Sequence, residues 1–161
     1  MQQIKISIAS QTLDLLDDQG VLIKRYDVST AKNGVGEIKG SYQTPRGKHY
    51  IRAKIGSGQP VNAVFVGRRP TGEIFNLELG ASYPERDWIL TRILWLCGRE
   101  PGFNRMGDVD TMRRYIYIHG SPDHAEMGYP GSHGCIRMQN EDVMDLFDRV
   151  EAGTPVEIIE A

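Results

Sequence analysis

The sequence contains no apolar run near the ~20 residues that a membrane-spanning helix requires. Charge of neither sign dominates: 19 Lys and Arg stand against 21 Asp and Glu, a net charge of −2. The arginines are scattered rather than clustered, which argues against nucleic acid as a partner. Cysteine is scarce. Cys97 and Cys135 are the only two in 161 residues, too few for a disulfide scaffold, and a bridge between them would consume both thiols. Internal repeats and low-complexity tracts are also missing. The first nine residues alternate polar and apolar side chains instead of forming the continuous apolar segment of an export signal. The expectation from this is a cytoplasmic protein with no membrane partner.

What is present is the composition of one folded domain, 40% hydrophobic and 25% charged, long enough to bury a real core. Eighteen glycines and eight prolines supply turns for a strand-rich fold. Ile4, Ile6 and Ile8 alternate with Lys5 and Ser7, which predicts a half-buried strand over residues 3–9. Strands over 12–16 and 21–28 follow, joined by an Asp-Asp-Gln-Gly turn, as a meander. Residues 29–47 read as a long loop ending in Thr44-Pro45-Arg46-Gly47, and long loops on small domains often carry function. Further strands are expected over 49–55 and 61–66, then a turn over 67–72. Residues 74–79 are expected to cover one side of the core. The most apolar run, 87–96, is β-rich, although periodicity alone leaves a short helix open. Residues 98–110 are polar and turn-forming. After Asn140 as N-cap, Val143, Leu146, Phe147 and Val150 stand at helical spacing with Glu141 and Asp142 at the positive end of the dipole. Gly153 ends that helix, and residues 155–159 close the chain as a strand.

The chemistry concentrates in Gly131-Ser132-His133-Gly134-Cys135-Ile136-Arg137 and in the run leading to His119-Gly120. On a strand over 113–119, Arg113, Tyr115, Tyr117 and His119 share one face and Ile116 and Ile118 the other. The isoleucines belong to the core, so His119 faces a cleft. A thiol needs a base to become a nucleophile at neutral pH. His133 is near in sequence, but His119, aimed by a strand end, is the better base. The carbonyl of Gly120 or Ser121 is expected to hold its other ring nitrogen, because no acid is obviously placed to do so. Gly134 permits an unusual backbone conformation, so the N–H groups of residues 133–135 can converge on an oxyanion. Arg137 suits a carboxylate or a loop carbonyl. Cys97 reads as inert and buried, Trp88 and Trp95 as core, and His49 and His124 as surface or supporting residues. A zinc site from His119, Asp123, His124, His133 and Cys135 is a competing reading, although the spacing matches no short zinc signature. A catalytically dead binding domain is a third, and the retained Cys and His argue against it.

His119-Gly120 followed by Gly128-Tyr129-Pro130-Gly131-Ser132-His133-Gly134-Cys135-Ile136-Arg137-Met138 resembles the signature of the YkuD-type L,D-transpeptidases. Thr44-Pro45-Arg46-Gly47 looks like that family's Thr-Pro-x-Gly turn, and residues 140–156 look like its C-terminal end. The resemblance implies a mainly β fold, a sandwich or barrel-like catalytic domain with one or two short helices. It also implies acyl transfer on peptidoglycan stem peptides or muropeptides, with no cofactor and no metal. Cys135 would be the nucleophile, His119 the acid and base, and His133, Gly134 and the Cys135 N–H the oxyanion region. Arg137 would order the site, and carbapenems would be covalent inhibitors. Ser132, Gly120, Tyr117 and Arg113 are the further candidates for substrate contact, and Arg113, Arg137 and Arg46 for a terminal carboxylate. With a cytoplasmic location, the expected activity is an L,D-carboxypeptidase that trims tetrapeptides to tripeptides in murein recycling. Transpeptidation, by 3-3 cross-linking or D-amino-acid exchange, is the alternative.

Overall fold

Alternating burial of Ile4, Ile6, Leu13 and Leu15 sets the first three strands of the computed structural model, which describes residues 1–161. These are β1 (Gln3–Ser7), β2 (Thr12–Leu16) and β3 (Leu22–Asp27), an antiparallel meander. Then come β4 (Gly47–Ile55), β5 (Ala63–Val66), β6 (Arg69–Ile74), α1 (Leu77–Ser82) and β7 (Ile89–Gly98). A 3-10 turn (Gly107–Val109), β8 (Tyr117–Gly120), β9 (Ile136–Met138), α2 (Asn140–Arg149) and β10 (Pro155–Ile159) complete the chain. The main path of the sheet runs β3-β2-β1-β10-β4-β7-β5-β6, and β8 branches from β7 to pair with β9. The sheet is mixed and does not close: β10 lies parallel to β1, and β9 parallel to β8.

The long apolar run is a strand, β7, and it is the hub. It pairs with β4, β5 and β8, and eight of its ten residues are buried, as expected for a strand at the centre of a sheet. Thr91 sits at φ +74 in the middle of it, where the pairing register slips between Leu90 and Ile93. A core of 19 buried residues lies between the sheet and α2, where Val143, Leu146 and Phe147 meet Leu94, Leu96, Ile118 and Ile136. A smaller cluster of Ala63, Phe65, Ile93 and Tyr117 has Cys135 packed against it.

Four expectations need correction. Residues 74–79 are not one covering segment. The chain leaves β6 at Ile74 and turns into α1, because the Asn76 side chain accepts the Leu79 N–H at 2.7 Å and caps the helix. Of the expected turn over 67–72, only Gly67 and Arg68 turn; both have positive φ, and β6 starts at Arg69. The strand over 113–119 is only its C-terminal half. The Asp110 carboxylate accepts the N–H groups of Met106 and Arg113 and ties the preceding segment into turns. Tyr115 then reverses the chain at φ +57. Arg113 and Tyr115 therefore do not share a strand face with Tyr117 and His119. At α2, Asn140 is the first helical residue rather than the cap. Its buried side chain instead joins Thr91 of β7, Asn62 and Asp123.

Candidate active site

The parallel pair β8–β9 sorts the site from the core. Its register sets Ile118 beside Ile136, His119 beside Arg137 and Gly120 beside Met138. Because side chains alternate along a strand, Ile116, Ile118, Ile136 and Met138 enter the large core. Tyr117, His119, Arg137 and the preceding Cys135 face the other way. The Tyr117 N–H donates to Cys135 Sγ at 3.3 Å, and the thiol donates to the Tyr115 carbonyl at 3.4 Å.

The loop before Cys135 is held from beneath by residues 29–47. Ser29 and Arg137 exchange backbone hydrogen bonds at 2.9 and 2.8 Å, and the Thr30 carbonyl accepts the N–H groups of Gly131 and Ser132. The buried Thr44 hydroxyl donates to the Gly134 carbonyl and accepts the Ala31 N–H, both at 2.9 Å. This segment is a floor more than a lid. Gly134 has φ +129, and a Cβ there would come within 3.1 Å of Ile116 and 3.3 Å of the Gln43 carbonyl. Glycine is the residue that fits such a position. The Gly134 N–H is committed to Ser132 Oγ at 3.2 Å. The N–H groups of His133 and Cys135 make no hydrogen bond within the protein, so these two donors, rather than all three, are available to a ligand oxygen.

His119 is fully buried. Its Nδ1 lies 2.6 Å from the Gly120 carbonyl. A carbonyl only accepts, so Nδ1 carries the hydrogen and Nε2 presents a lone pair. That Nε2 is buried with no partner. Burial holds the His119 pKa below its ordinary value, against the opposing pull of Asp87 and the Gly120 bond. Burial likewise pushes the Cys135 thiol up to about 12, with Asp87 adding to the shift and the Tyr117 N–H, Arg137 and Arg114 opposing it. At neutral pH both groups rest uncharged.

Cys135 opens into a recess of about 530 Å³ lined by Arg68, Asp87, Arg114, Tyr115, Tyr117 and His133, among others. Of the expected substrate contacts, Tyr117 lines this recess. Ser132 and Gly120 do not. The buried Ser132 hydroxyl donates to the Cys135 carbonyl inside its own loop, and Gly120 packs so closely on Asn140 and Leu90 that a Cβ would overlap them. Arg137 is occupied by Asp87 at 3.3 Å. Arg113 is exposed and borders an adjoining recess with Lys39 and Tyr42. Arg46 is paired with Glu37 and Glu160. His49, expected at the surface or in support, is buried between the Gly47 carbonyl and the Thr111 hydroxyl. Cys97 is buried and free. Trp95 and Trp88 are half-buried at the margins of the two smaller apolar clusters. The five side chains of the zinc reading do not assemble, and no three His, Cys, Asp or Glu groups converge as one ligand set.

Sequence reasoning missed Asp87, Arg68 and Arg114. Asp87 opens the apolar run and was passed over as its polar start, yet it is the one carboxylate in the recess and lies 4.0 Å from His133. Arg68 was hidden in a turn. Its signal was a bulky residue where Asn or Gly is usual. Arg114 falls on the isoleucine face when the strand is extended back to 113, and so escapes notice.

Known proteins resemble this chain in sequence and in fold. The family model for the L,D-transpeptidase catalytic domain, YkuD, matches residues 1–158. The probable L,D-transpeptidase YbiS of Escherichia coli K12 is 43% identical over 47 residues, 29% of this chain and 15% of that protein. The probable L,D-transpeptidase ErfK/SrfK of Salmonella typhimurium is 45% identical over 47 residues, again 29% and 15%. The match thus spans about one seventh of these relatives. L,D-transpeptidase 3 from Mycobacterium tuberculosis, solved with a faropenem-derived adduct, superposes with a TM-score of 0.60 at 18% identity over 99% of this chain and 60% of that one. The L,D-transpeptidase of Xylanimonas cellulosilytica gives 0.56 at 20% identity over 98% and 60%. Likeness at that identity speaks for the mainly β fold. The family model covers nearly the whole sequence, and the chain belongs to the L,D-transpeptidase catalytic domain (YkuD) family.

Proposed function

We propose that the protein transfers acyl groups of peptidoglycan stem peptides through a thioester on Cys135, and that water is its main acceptor, making it an L,D-carboxypeptidase. The observation that carries this is His119. A buried imidazole with Nδ1–H fixed on a carbonyl and Nε2 left without a partner is a poised proton acceptor. It stands on the strand face that Cys135 also uses.

In this reading Cys135 Sγ attacks the carbonyl carbon at the L-centre of the diamino acid as its proton passes to His119 Nε2. The developing oxyanion takes the free N–H groups of His133 and Cys135. Collapse breaks the C–N bond, His119 returns its proton to the nitrogen of the departing D-alanine, and the thioester remains. Water then attacks the thioester carbonyl, gives a proton to His119, and the thiol leaves with that proton. Because both groups rest uncharged, proton transfer accompanies attack rather than preceding it. Hydrolysis is favoured by an open mouth: Tyr115 is 52% exposed and the His133 side chain 64%, so water reaches the thioester.

Transpeptidation is the second reading. It draws on the names of the curated relatives and on a recess of about 370 Å³ on the Asp87–Arg137 side of His133, which offers an amine room to approach. Carbapenems are proposed as acylating inhibitors of Cys135, since solved relatives include an imipenem complex. A role in murein recycling requires the protein in the cytoplasm, which cell fractionation checks.

The deciding experiment is mass spectrometry of the protein with a soluble murein tetrapeptide, with and without D-methionine, and with Cys135→Ala as control. Conversion to tripeptide that persists with D-methionine, absent in the control, is expected. A D-methionine adduct as main product selects transpeptidation. Turnover by Cys135→Ala sinks the mechanism.

A further inference from the structure

Four arginines crowd the Cys135 loop or its recess; two are spoken for and a third lies outside the recess. Arg137 is paired with Asp87. Arg114 spends Nη1 on the Gly36 carbonyl and Nη2 on Ser41 Oγ and the Gln43 carbonyl, so it fixes residues 36–43. Arg113 is exposed beside the adjoining recess. Arg68 differs from all of them. It is half-buried and lines the recess with Cys135, and it has no carboxylate within 4.0 Å. Its guanidinium lies 4.6 Å over the Trp95 ring and 4.8 Å over the Tyr115 ring. Nη1 donates to the Tyr117 hydroxyl at 3.0 Å, and Nη2 and Nε have no partner in the protein.

A guanidinium stacked on two rings is rigid, and its remaining donors form the planar fork that matches a carboxylate. Its backbone is strained to put it there. Gly67 and Arg68, at φ +56 and +64, form the two-residue turn between β5 and β6, where Asn-Gly is the comfortable choice. Tyr115, in the same recess, and Tyr42, in the adjoining one, also hold positive φ (+57 each). Non-glycine residues kept in this region cluster where a ligand is gripped. Arg68 and the nucleophile also share a neighbour. Tyr117 bonds Cys135 Sγ through its N–H and Arg68 through its hydroxyl, so a single tyrosine side chain separates nucleophile and cation. In a tetrapeptide the terminal carboxylate lies one residue beyond the scissile carbonyl, about 3.5 Å along an extended chain.

We propose that Arg68 is the specificity residue for the leaving group: it binds the free α-carboxylate of the terminal residue and restricts the enzyme to stems ending one residue past the scissile bond. The inference rests on the acyl-transfer reading above. It is tested by kinetics of wild type, Arg68→Ala, Arg68→Lys and Arg69→Ala on the tetrapeptide and on its C-terminal carboxamide, with product release read by mass spectrometry. Wild type should prefer the free acid by about 10- to 100-fold in kcat/KM, mostly through KM, the range for a charged hydrogen-bond pair. Arg68→Ala should lose that preference by slowing on the acid alone, and Arg68→Lys should fall between, keeping charge without the fork. Arg69→Ala removes an equal charge from the same hairpin outside the recess and should keep the preference. Equal loss on acid and amide in Arg68→Ala would mean a structural role and overturn the proposal. Wild-type turnover of both substrates without preference would overturn it too while leaving acyl transfer standing. Turnover of neither would remove both.

Discussion

The resting protonation state of the Cys135–His119 pair can be read from how fast the thiol alkylates. In an ion pair, thiolate and imidazolium coexist, and alkylation is already fast and flat from about pH 5 to 8. Here burial favours the uncharged form of both groups. With the thiol near 12, the thiolate fraction is on the order of 10⁻⁵ at pH 7 and 10⁻³ at pH 9. The second-order rate with iodoacetamide, measured on Cys97→Ala so that one thiol remains, should rise about tenfold per pH unit to beyond pH 10. Asp87→Asn removes a charge that raises the thiol pKa, so it should speed alkylation at every pH. The kcat/KM profile follows the same logic. His119 titrates below its ordinary 6.5, so the acid limb lies below pH 6.5 and activity stays level from there to at least pH 9. An alkylation plateau with an apparent pKa under 8 would refute this reasoning, as would an alkaline limb near 8.

Two further substitutions probe the frame. Thr44→Val leaves the buried Gly134 carbonyl and Ala31 N–H without the hydroxyl that joins them; urea melts should show a loss of about 2–4 kcal/mol, and kcat should fall about tenfold or more as the loop shifts. Unchanged kcat would detach the Thr44 turn from the site. His49 has a folded pKa near 4 because it is buried, below the 6.5 of the unfolded chain. As pH falls from 6.5 to 4 the unfolded state takes up a proton that the folded state refuses, so stability drops by on the order of 3 kcal/mol and then levels. His49→Gln should remove its share of that slope in urea melts across this window, leaving the part due to His119, whose pKa burial also lowers. Asp145, held near 2 by Tyr26, Lys24 and Arg149, loses its contribution only below its unfolded 3.8, so the two effects separate. A slope unchanged by the substitution would place the titration elsewhere.

The elements that periodicity and turn residues define locally were legible. The Ile4–Ile6–Ile8 alternation, the Asp-Asp-Gln-Gly turn and the spacing of Val143, Leu146, Phe147 and Val150 each state their own conformation. So was the pairing of His119 with a backbone carbonyl, because a strand end followed by glycine leaves that carbonyl free to accept. What failed depended on contacts distant in sequence. The strand ending in His119 was overextended because period-two alternation does not register the Asp110 side chain bonding the Met106 and Arg113 amides. Which arginines already hold a carboxylate was not legible either. Arg137 looked free in sequence, and Asp87, 50 residues earlier, occupies it.

The site and the core share one pair of strands, so the loop before Cys135 is tied to the packing of the core. Ile118 and Ile136 sit side by side in the register and bury in the 19-residue core; their neighbours His119 and Arg137 hold the opposite face. A slip of one residue between β8 and β9 would move the isoleucines into the cleft and the imidazole into the core. The core therefore fixes the register to which the catalytic geometry is tied. Residues 29–47 complete the constraint from the other side through Ser29, Thr30 and Thr44. With the backbone held on both sides, the two free N–H groups at His133 and Cys135 stay oriented before any ligand arrives, and in the proposed mechanism the oxyanion would gain their electrostatic benefit without reorganisation.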